Sequence, residues 1–269
     1  MDFNEHLHSS AAGHSVKEAV ISFFVRPRIE KPDSYKQLIE EKGYIGGHYA
    51  KFEPVKEISF SLNVNKSNTE LRQVSDAGFK FIAYKNGSTS DIIQGINEPR
   101  RSVFTFNTLA YERWQNYLES TMNAVKELAD FGQQYWVTAY SLMFIDEFYF
   151  DDKAVYSASE LFDLESRYLP LGIEDSSFVD FCLNLNKEKE GKRYVENMVI
   201  KVFDRNNQKV VQIIDNISFI QDHDQKMFAD LVKDKKPLED LCFAHNENKQ
   251  MLCNLLKQEI AKSIGLCVY

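Results

Sequence analysis

No uninterrupted apolar run in the 269 residues reaches the roughly 18 that a membrane-crossing helix needs, so no membrane span is expected. The opening, MDFNEHLHSSAAGHS, has no basic start leading into an apolar segment and does not read as a secretory signal. Cysteine is scarce. Cys182, Cys242, Cys253 and Cys267 are the whole set, none in a CxxC spacing, and their apolar neighbours suggest free, reduced thiols in a cytoplasmic protein. Glycine is also scarce, at 11 residues, and Gly46-Gly47 lacks the strand and lysine that a phosphate loop requires. The chain has no dinucleotide fingerprint, serine elbow, zinc-ligand series or well-spaced carboxylate set, which lowers the prior for common nucleotide enzymes. Cations are in deficit. With 32 Lys and Arg against 40 Asp and Glu, a net charge of -8 disfavours generic binding to phosphate backbones. Arg100-Arg101 and the Lys233, Lys235, Lys236 cluster read as solvated turns.

Large aromatics are abundant, with 20 Phe and 13 Tyr, so a bulky aromatic core or interface is expected. Residues 1–15 read as a mobile N-terminus. Its His6, His8 and His14 lack the acidic or cysteine partners of a metal arm. Val16–Pro27 alternates as a first strand, and Pro27 ends it by removing a ladder donor. A short helix over Pro32–Glu41 follows. Then come strands near 57–64, with Ile58, Phe60, Leu62 and Val64 toward the core, and through GFKFIAYK. Asn86-Gly87 is a tight-turn signal, and SDIIQGI and RSVFTFN continue the meander. A helix from about Ala110 to Phe131 carries Trp114, Leu118, Met122, Val125 and Ala129 at helical spacing.

Tyr135–Phe150, YWVTAYSLMFIDEFYF, restarts the cycle as a central strand, apolar on both faces. A short helix near Ser157–Glu165 precedes three strands, SFVDFCLNLN, Val195–Phe203 and KVVQIIDNISFI, and a closing helical stretch begins at Pro237. The fold class is therefore α+β, with two similar halves at 16–134 and 135–269. Each half runs strand, short helix, antiparallel strands, long helix. Together they suggest an extended antiparallel sheet with helices on one face, an element order like that of the TATA-binding-protein fold.

Several ordered stretches resemble a sporadically distributed bacterial family of uncharacterised proteins of about this length. They are Ser15-Val16-Lys17-Glu18-Ala19-Val20, Gly78-Phe79-Lys80-Phe81, Tyr111-Glu112-Arg113-Trp114, Leu142-Met143-Phe144-Ile145-Asp146, Ile213-Ile214-Asp215 and His245-Asn246-Glu247. Met143 stands where that family tends to have arginine, and Asp146 where it has asparagine. The resemblance brings no settled activity. Its sporadic distribution implies a bacterial defence or mobile-element setting.

For chemistry, Asp146 and Glu147 point to opposite faces of a strand, which makes them poor partners in a dyad. Asp151 and Asp152 belong to a turn. Asp215 interrupts a strong strand and needs a partner if buried. His245 shares a helical face with Leu241 and Leu252. Asp222-His223-Asp224 is too short a motif for a phosphohydrolase, and Cys182 reads as a buried structural thiol. The leading expectation is a non-catalytic protein-binding or structural component. It would bind another protein or itself through Tyr84, Tyr140, Phe144 and Phe148, with no metal or cofactor. One alternative is an enzyme for a nucleotide or phosphorylated ligand, with Asp146, Asp215 and His245 converging. Another is nucleic-acid binding on the sheet face.

Overall fold

The structure, a computed structural model, describes residues 6–11, 13–63, 68–131, 134–152, 155–175, 177–221, 225–231 and 233–266, without the side chains of 57–76. The chain is α+β with a large antiparallel sheet and few helices. In order, its elements are β1 (Leu7–Ser9), β2 (Val16–Arg26), a 3-10 turn (Pro32–Lys36), α1 (Gln37–Glu40), α2 (Tyr44–His48), β3 (Lys51–Asn63), β4 (Asn68–Lys85), β5 (Ser88–Asn97), β6 (Ser102–Thr108) and α3 (Trp114–Asp130). Then follow β7 (Trp136–Phe150), α4 (Ala158–Leu161), β8 (Asp180–Lys189), β9 (Lys192–Arg205), β10 (Gln208–Ile220), β11 (Lys226–Met227), α5 (Phe228–Leu231), α6 (Lys235–Leu255) and α7 (Gln258–Ser263). The chain divides into two compact units. Unit 1 is Met1–Val20, Ser141–Ile220 and Lys236–Tyr269, and unit 2 is Ile21–Tyr140 and Gln221–Lys235. The units are thus not the contiguous stretches 16–134 and 135–269, because strand partners rather than sequence neighbours hold each together.

In unit 2 the strands follow the order β3-β4-β5-β6-β2-β7, with antiparallel ladders from β3 to β6. Asn86 and Gly87, both at positive φ (53° and 80°), make the two-residue turn that matches strand twist between β4 and β5. Alternation then sends Phe79, Phe81, Ile93, Phe104 and Phe106 to one face, where all are buried. The helical elements lie on that face. Tyr35 of the 3-10 turn stacks on Phe79 at 4.3 Å, and Phe228 of α5 stacks on Phe104 at 5.3 Å. The Tyr117 hydroxyl of α3 donates to the Phe106 carbonyl at 2.6 Å. Gly95 sits opposite Phe79, whose ring crosses its strand so closely that a Cβ there would lie 2.5 Å from Phe79 Cε1.

In unit 1, β7, β10, β9 and β8 are neighbours in that order, with antiparallel ladders joining β10, β9 and β8. Two further tight turns, Glu190-Gly191 and Asn206-Asn207, set their register with positive φ at every position. Met198, Ile200 and Ile213 face a buried cluster completed by Met251, Leu252 and Leu255 of α6 and Leu161 of α4. The closing helical stretch is two helices. Leu256 leaves the first to bridge Phe162, and Lys257 N–H donates to the Leu161 carbonyl at 3.0 Å.

Three expectations need correction. The N-terminal lead is placed over its described residues: β1 pairs with β7, Leu7 opposite Phe150, and Leu7 is fully buried. Its one large aliphatic residue is enough to anchor it, a signal too short for periodicity to reveal. Cys182 is exposed, since its neighbours Phe181 and Leu183 take the covered face. The thiols are also not all free: Cys182 and Cys242 are, whereas Cys253 is in a disulfide. Residue spacing carries no information on which cysteines meet. The expected faces of Ile58, Phe60, Leu62 and Val64, the Asp222-His223-Asp224 motif and Cys267 lie outside the described residues. Among the described residues, no helix is long and apolar enough to cross a membrane. Leu7→Ala is expected to cost about 2–5 kcal/mol in urea unfolding, as for other buried leucines, whereas a mobile lead would register no loss.

Candidate functional site

Strand alternation decides where the acidic candidates fall. On β10, Ile213, Ile217 and Phe219 face α6, so Asp215 between them must face it too. Its ladder partner is Met198, and Ile217 pairs with Glu196, which brings a second carboxylate to the same face. Asp146 and Asp215 are each 1% exposed and Glu196 is 2% exposed. Each finds a different partner. Asp146 Oδ1 accepts from the Ser15 hydroxyl at 2.6 Å, and Asp215 Oδ2 accepts from the Asn248 amide of α6 at 3.1 Å. Glu196 forms an ion pair with Lys187. Among the described residues, Asp146 Oδ2 and Asp215 Oδ1 have no hydrogen-bond partner.

Electrostatics follow from this arrangement. Burial pushes the Asp146 carboxyl up to about 6, with Ser15 opposing. Burial, then the nearby Glu196 charge, pushes Asp215 up to about 7, Asn248 and Lys187 opposing and Asp146 adding a little. His245, at 8% exposure, is driven the other way. Burial and then Lys249 bring it down to about 4, so it is a neutral imidazole, its ring 5.9 Å from that of Phe144. Around these groups α6 is tied down by charge. Lys189 donates to Glu247 at 2.5 Å, Tyr194 donates to the other Glu247 oxygen at 2.9 Å, and Lys192 pairs with Asp240.

The structure therefore gathers Asp146 and Asp215 on the sheet face beneath α6, with His245 on that helix one turn before Asn248. All three are buried, Asp146 and Asp215 at 1% exposure and His245 at 8%. A base near 4 is also a weak proton acceptor at neutral pH. The other carboxylates scatter. Glu147 takes two bonds from Arg205, at 2.7 and 3.2 Å, and one from Gln212 at 2.9 Å. Although burial raises Glu147, these bonds outweigh it and hold the carboxyl below its usual range. Asp151 accepts from His8 at 2.7 Å. Among the described residues, no three His, Cys, Asp or Glu side chains are placed to hold a metal ion.

Of the aromatic contact candidates, Tyr140, Phe144 and Phe148 are core residues, 2% exposed or less, so they cannot meet a partner. Their even spacing along β7 puts all three on the face that the helices cover. Only Tyr84, at 47%, is at the surface.

The uncovered face of unit 2 is a different matter. Opposite the aromatic layer, the β4–β5 pair Ile82↔Ile92 and the β5–β6 pair Ile96↔Val103 project away from the helices, with Gln94 and Thr105 between them. The helical contacts of unit 2 described above are made on the opposite, aromatic face; on this face Ile82 is buried, and Ile92, Ile96 and Val103 are half-buried. Sequence reading expected helices on one face of the sheet but named only Tyr84 of this region as a contact residue.

A cleft of about 190 Å³ lies at the start of α3, lined by His48, Asp91, Arg113, Asn116, Tyr117 and Ser120 among others. His48 Nε2 stands 3.6 Å from Asp91 Oδ2. Burial raises Asp91, but bonds from His48, Ser90 and Thr108 win and lower it. These residues are far apart in sequence and form no motif, so nothing local announces them.

A pH dependence follows from the raised carboxyls. Asp146 and Asp215 bind protons more tightly folded than unfolded, so their stabilisation is complete below the unfolded value near 3.8 and is lost as pH rises through about 6 and 7. Asp215→Asn removes one of these losses. Relative to the parent, the variant is expected to gain about 2–4 kcal/mol between pH 5 and pH 8 in denaturant melts, at about 1.4 kcal/mol per tenfold change in ionisation constant. A pH-independent difference would mean that Asp215 is ionised throughout. No protein-family model matches the chain, and neither a curated protein nor a solved structure matches it.

Proposed function

We propose that this protein is a non-catalytic binding component whose uncovered sheet face in unit 2 docks another protein. The observation that carries this reading is the one-sided covering of that sheet. An antiparallel sheet with a solvated reverse face normally shows polar residues there. Here two cross-strand apolar pairs, Ile82 with Ile92 and Ile96 with Val103, flank the row of Lys80, Gln94 and Thr105; Ile82 is 9% exposed, the other three are half-buried, and the exposed Tyr84 lies at the edge. Apolar side chains set among polar ones are the composition of a protein interface.

The acid layer of unit 1 supports the non-catalytic half of the reading. Its carboxylates are buried, Asp215 is bonded to Asn248 of α6, and its histidine is neutral. We also propose that the two halves arose by duplication, on the strength of the repeated run of strand, short helix, strands and long helix. The setting proposed with it, a bacterial defence or mobile-element system, rests on the family resemblance alone.

The test is a charge placed on the face. Ile96→Lys with Val103→Lys alters a cross-strand pair on the uncovered side, so folding stability is expected to change by only about 1 kcal/mol. Cross-linking in the native cell identifies the partner, which is then purified and titrated. Its dissociation constant is expected to rise about tenfold or more in the double variant, or about 1.4 kcal/mol. Equal affinity for both forms, or a parent protein that stays monomeric and cross-links to nothing, would sink the proposal.

A further inference from the structure

In an acidic chain, one corner of unit 2 is basic. The end of β2 and the loop after it carry Arg26, Arg28 and Lys31, and the β5–β6 connection carries Arg100 and Arg101, against only Glu30 and Glu98. Sequence reading took the second of these as an ordinary solvated turn. The fold joins it to the first. Asn97 accepts from the Ile29 N–H at 2.9 Å and donates to the Ile29 carbonyl at 3.0 Å, a reciprocal clamp between the two loops. Ser102 closes it, accepting from the same Ile29 N–H at 3.0 Å and donating to Asn97 Oδ1 at 2.5 Å.

The guanidinium groups are set on this clamp. Arg101 lies 4.2 Å over the Phe24 ring, and its Nε–H donates to Glu98 Oε2 at 2.6 Å. Stacking of this kind fixes the plane of the fork and leaves its outer N–H groups to other acceptors. Arg26 is two residues beyond Phe24 on the same strand and is exposed, as is Arg100. Among the described residues, neither has an ion pair. One stacked guanidinium fork flanked by two exposed arginines suits planar oxyanions held by paired hydrogen bonds.

We propose that this arginine corner docks an acidic segment of the protein partner. The proposal rests on the protein-binding reading above and specifies the partner's chemistry. The occupant follows from charge. A phosphate backbone needs an extended track of cations, and this patch is one corner on a chain of net charge -8. A short run of Asp and Glu matches its size and meets less repulsion from the rest of the surface. The patch also adjoins the uncovered face, since Phe24 follows the buried Phe23 and so points to the reverse side. A partner with an acidic end and an apolar body would engage both.

The experiment titrates the full chain with a short fluorescein-labelled peptide of alternating Glu and Ser, read by anisotropy at about 50 mM and about 300 mM salt. The peptide is expected to bind at the lower salt and weaken at the higher. R26E with R100E should weaken it about tenfold or more, whereas K201E with K262E, an equal charge change elsewhere, should leave most of the affinity. Matching thermal melts confirm that the variants fold. No binding at low salt, or equal loss in both double variants, would overturn the assignment. So would an oligothymidylate of equal charge binding at least as tightly as the peptide, which would mark the corner as a nucleic-acid site. If the peptide fails while the Ile96→Lys, Val103→Lys variant still loses its cross-linked partner, the corner falls and the sheet face stands.

Discussion

The period of two along a strand is the constraint on which both units turn. Once helices cover one face of a sheet, every second side chain is committed to that face, whatever its polarity. Aromatics take those positions in unit 2, and the result is the stacked layer around Phe79, Phe81 and Phe104. In unit 1 the same rule carries Asp215 under α6, because moving it out would take Ile213 and Ile217 with it. Asn248, Ser15 and Lys187 are then required as partners, since an unpartnered buried carboxylate costs several kcal/mol. The polar layer is thus a consequence of register first and, through the Asp215–Asn248 bond, a tie to α6 second.

Charge is used differently in the two units. Lys189 and Lys192 of unit 1 are engaged by Glu247 and Asp240 of α6, and Lys187 by Glu196 across β8 and β9, so two of these cations secure a helix and one a strand pair. Such pairs fix geometry more than they add stability. In unit 2 the clamp between two loops is made by an asparagine and a serine, which leaves guanidinium groups facing outward.

Much of the architecture was legible because alternation and turn residues are local signals. The strand expected over Tyr135–Phe150 is Trp136–Phe150, and the helix expected over 110–131 is Trp114–Asp130. The hairpin of β3 and β4 was not. Asn68–Ala77 is too polar to alternate visibly, yet it belongs to an 18-residue strand. The closing helix was read as continuous because Leu252, Leu256 and Ile260 keep helical spacing through the break at Leu256–Lys257. Asp146, Asp215 and His245 stood out as polar groups among apolar ones, but burial beneath a helix depends on which elements meet. That also hid the arginine corner, whose loops are about 70 residues apart in the chain and meet only through the β6–β2 neighbour relation.

The place of β2 between β6 and β7 has a consequence for synthesis. The strand leaves the ribosome well before either of its neighbours. Meanwhile β3 to β6 can close by local hairpins, which form quickly. Throughout that interval Val20–Val25, VISFFV, is an uncharged segment rich in β-forming residues with two open edges. Its protection depends on how soon β6 and β7 emerge, so translation speed through α3 sets how long the nascent chain is open to aggregation and how heavily it relies on chaperones.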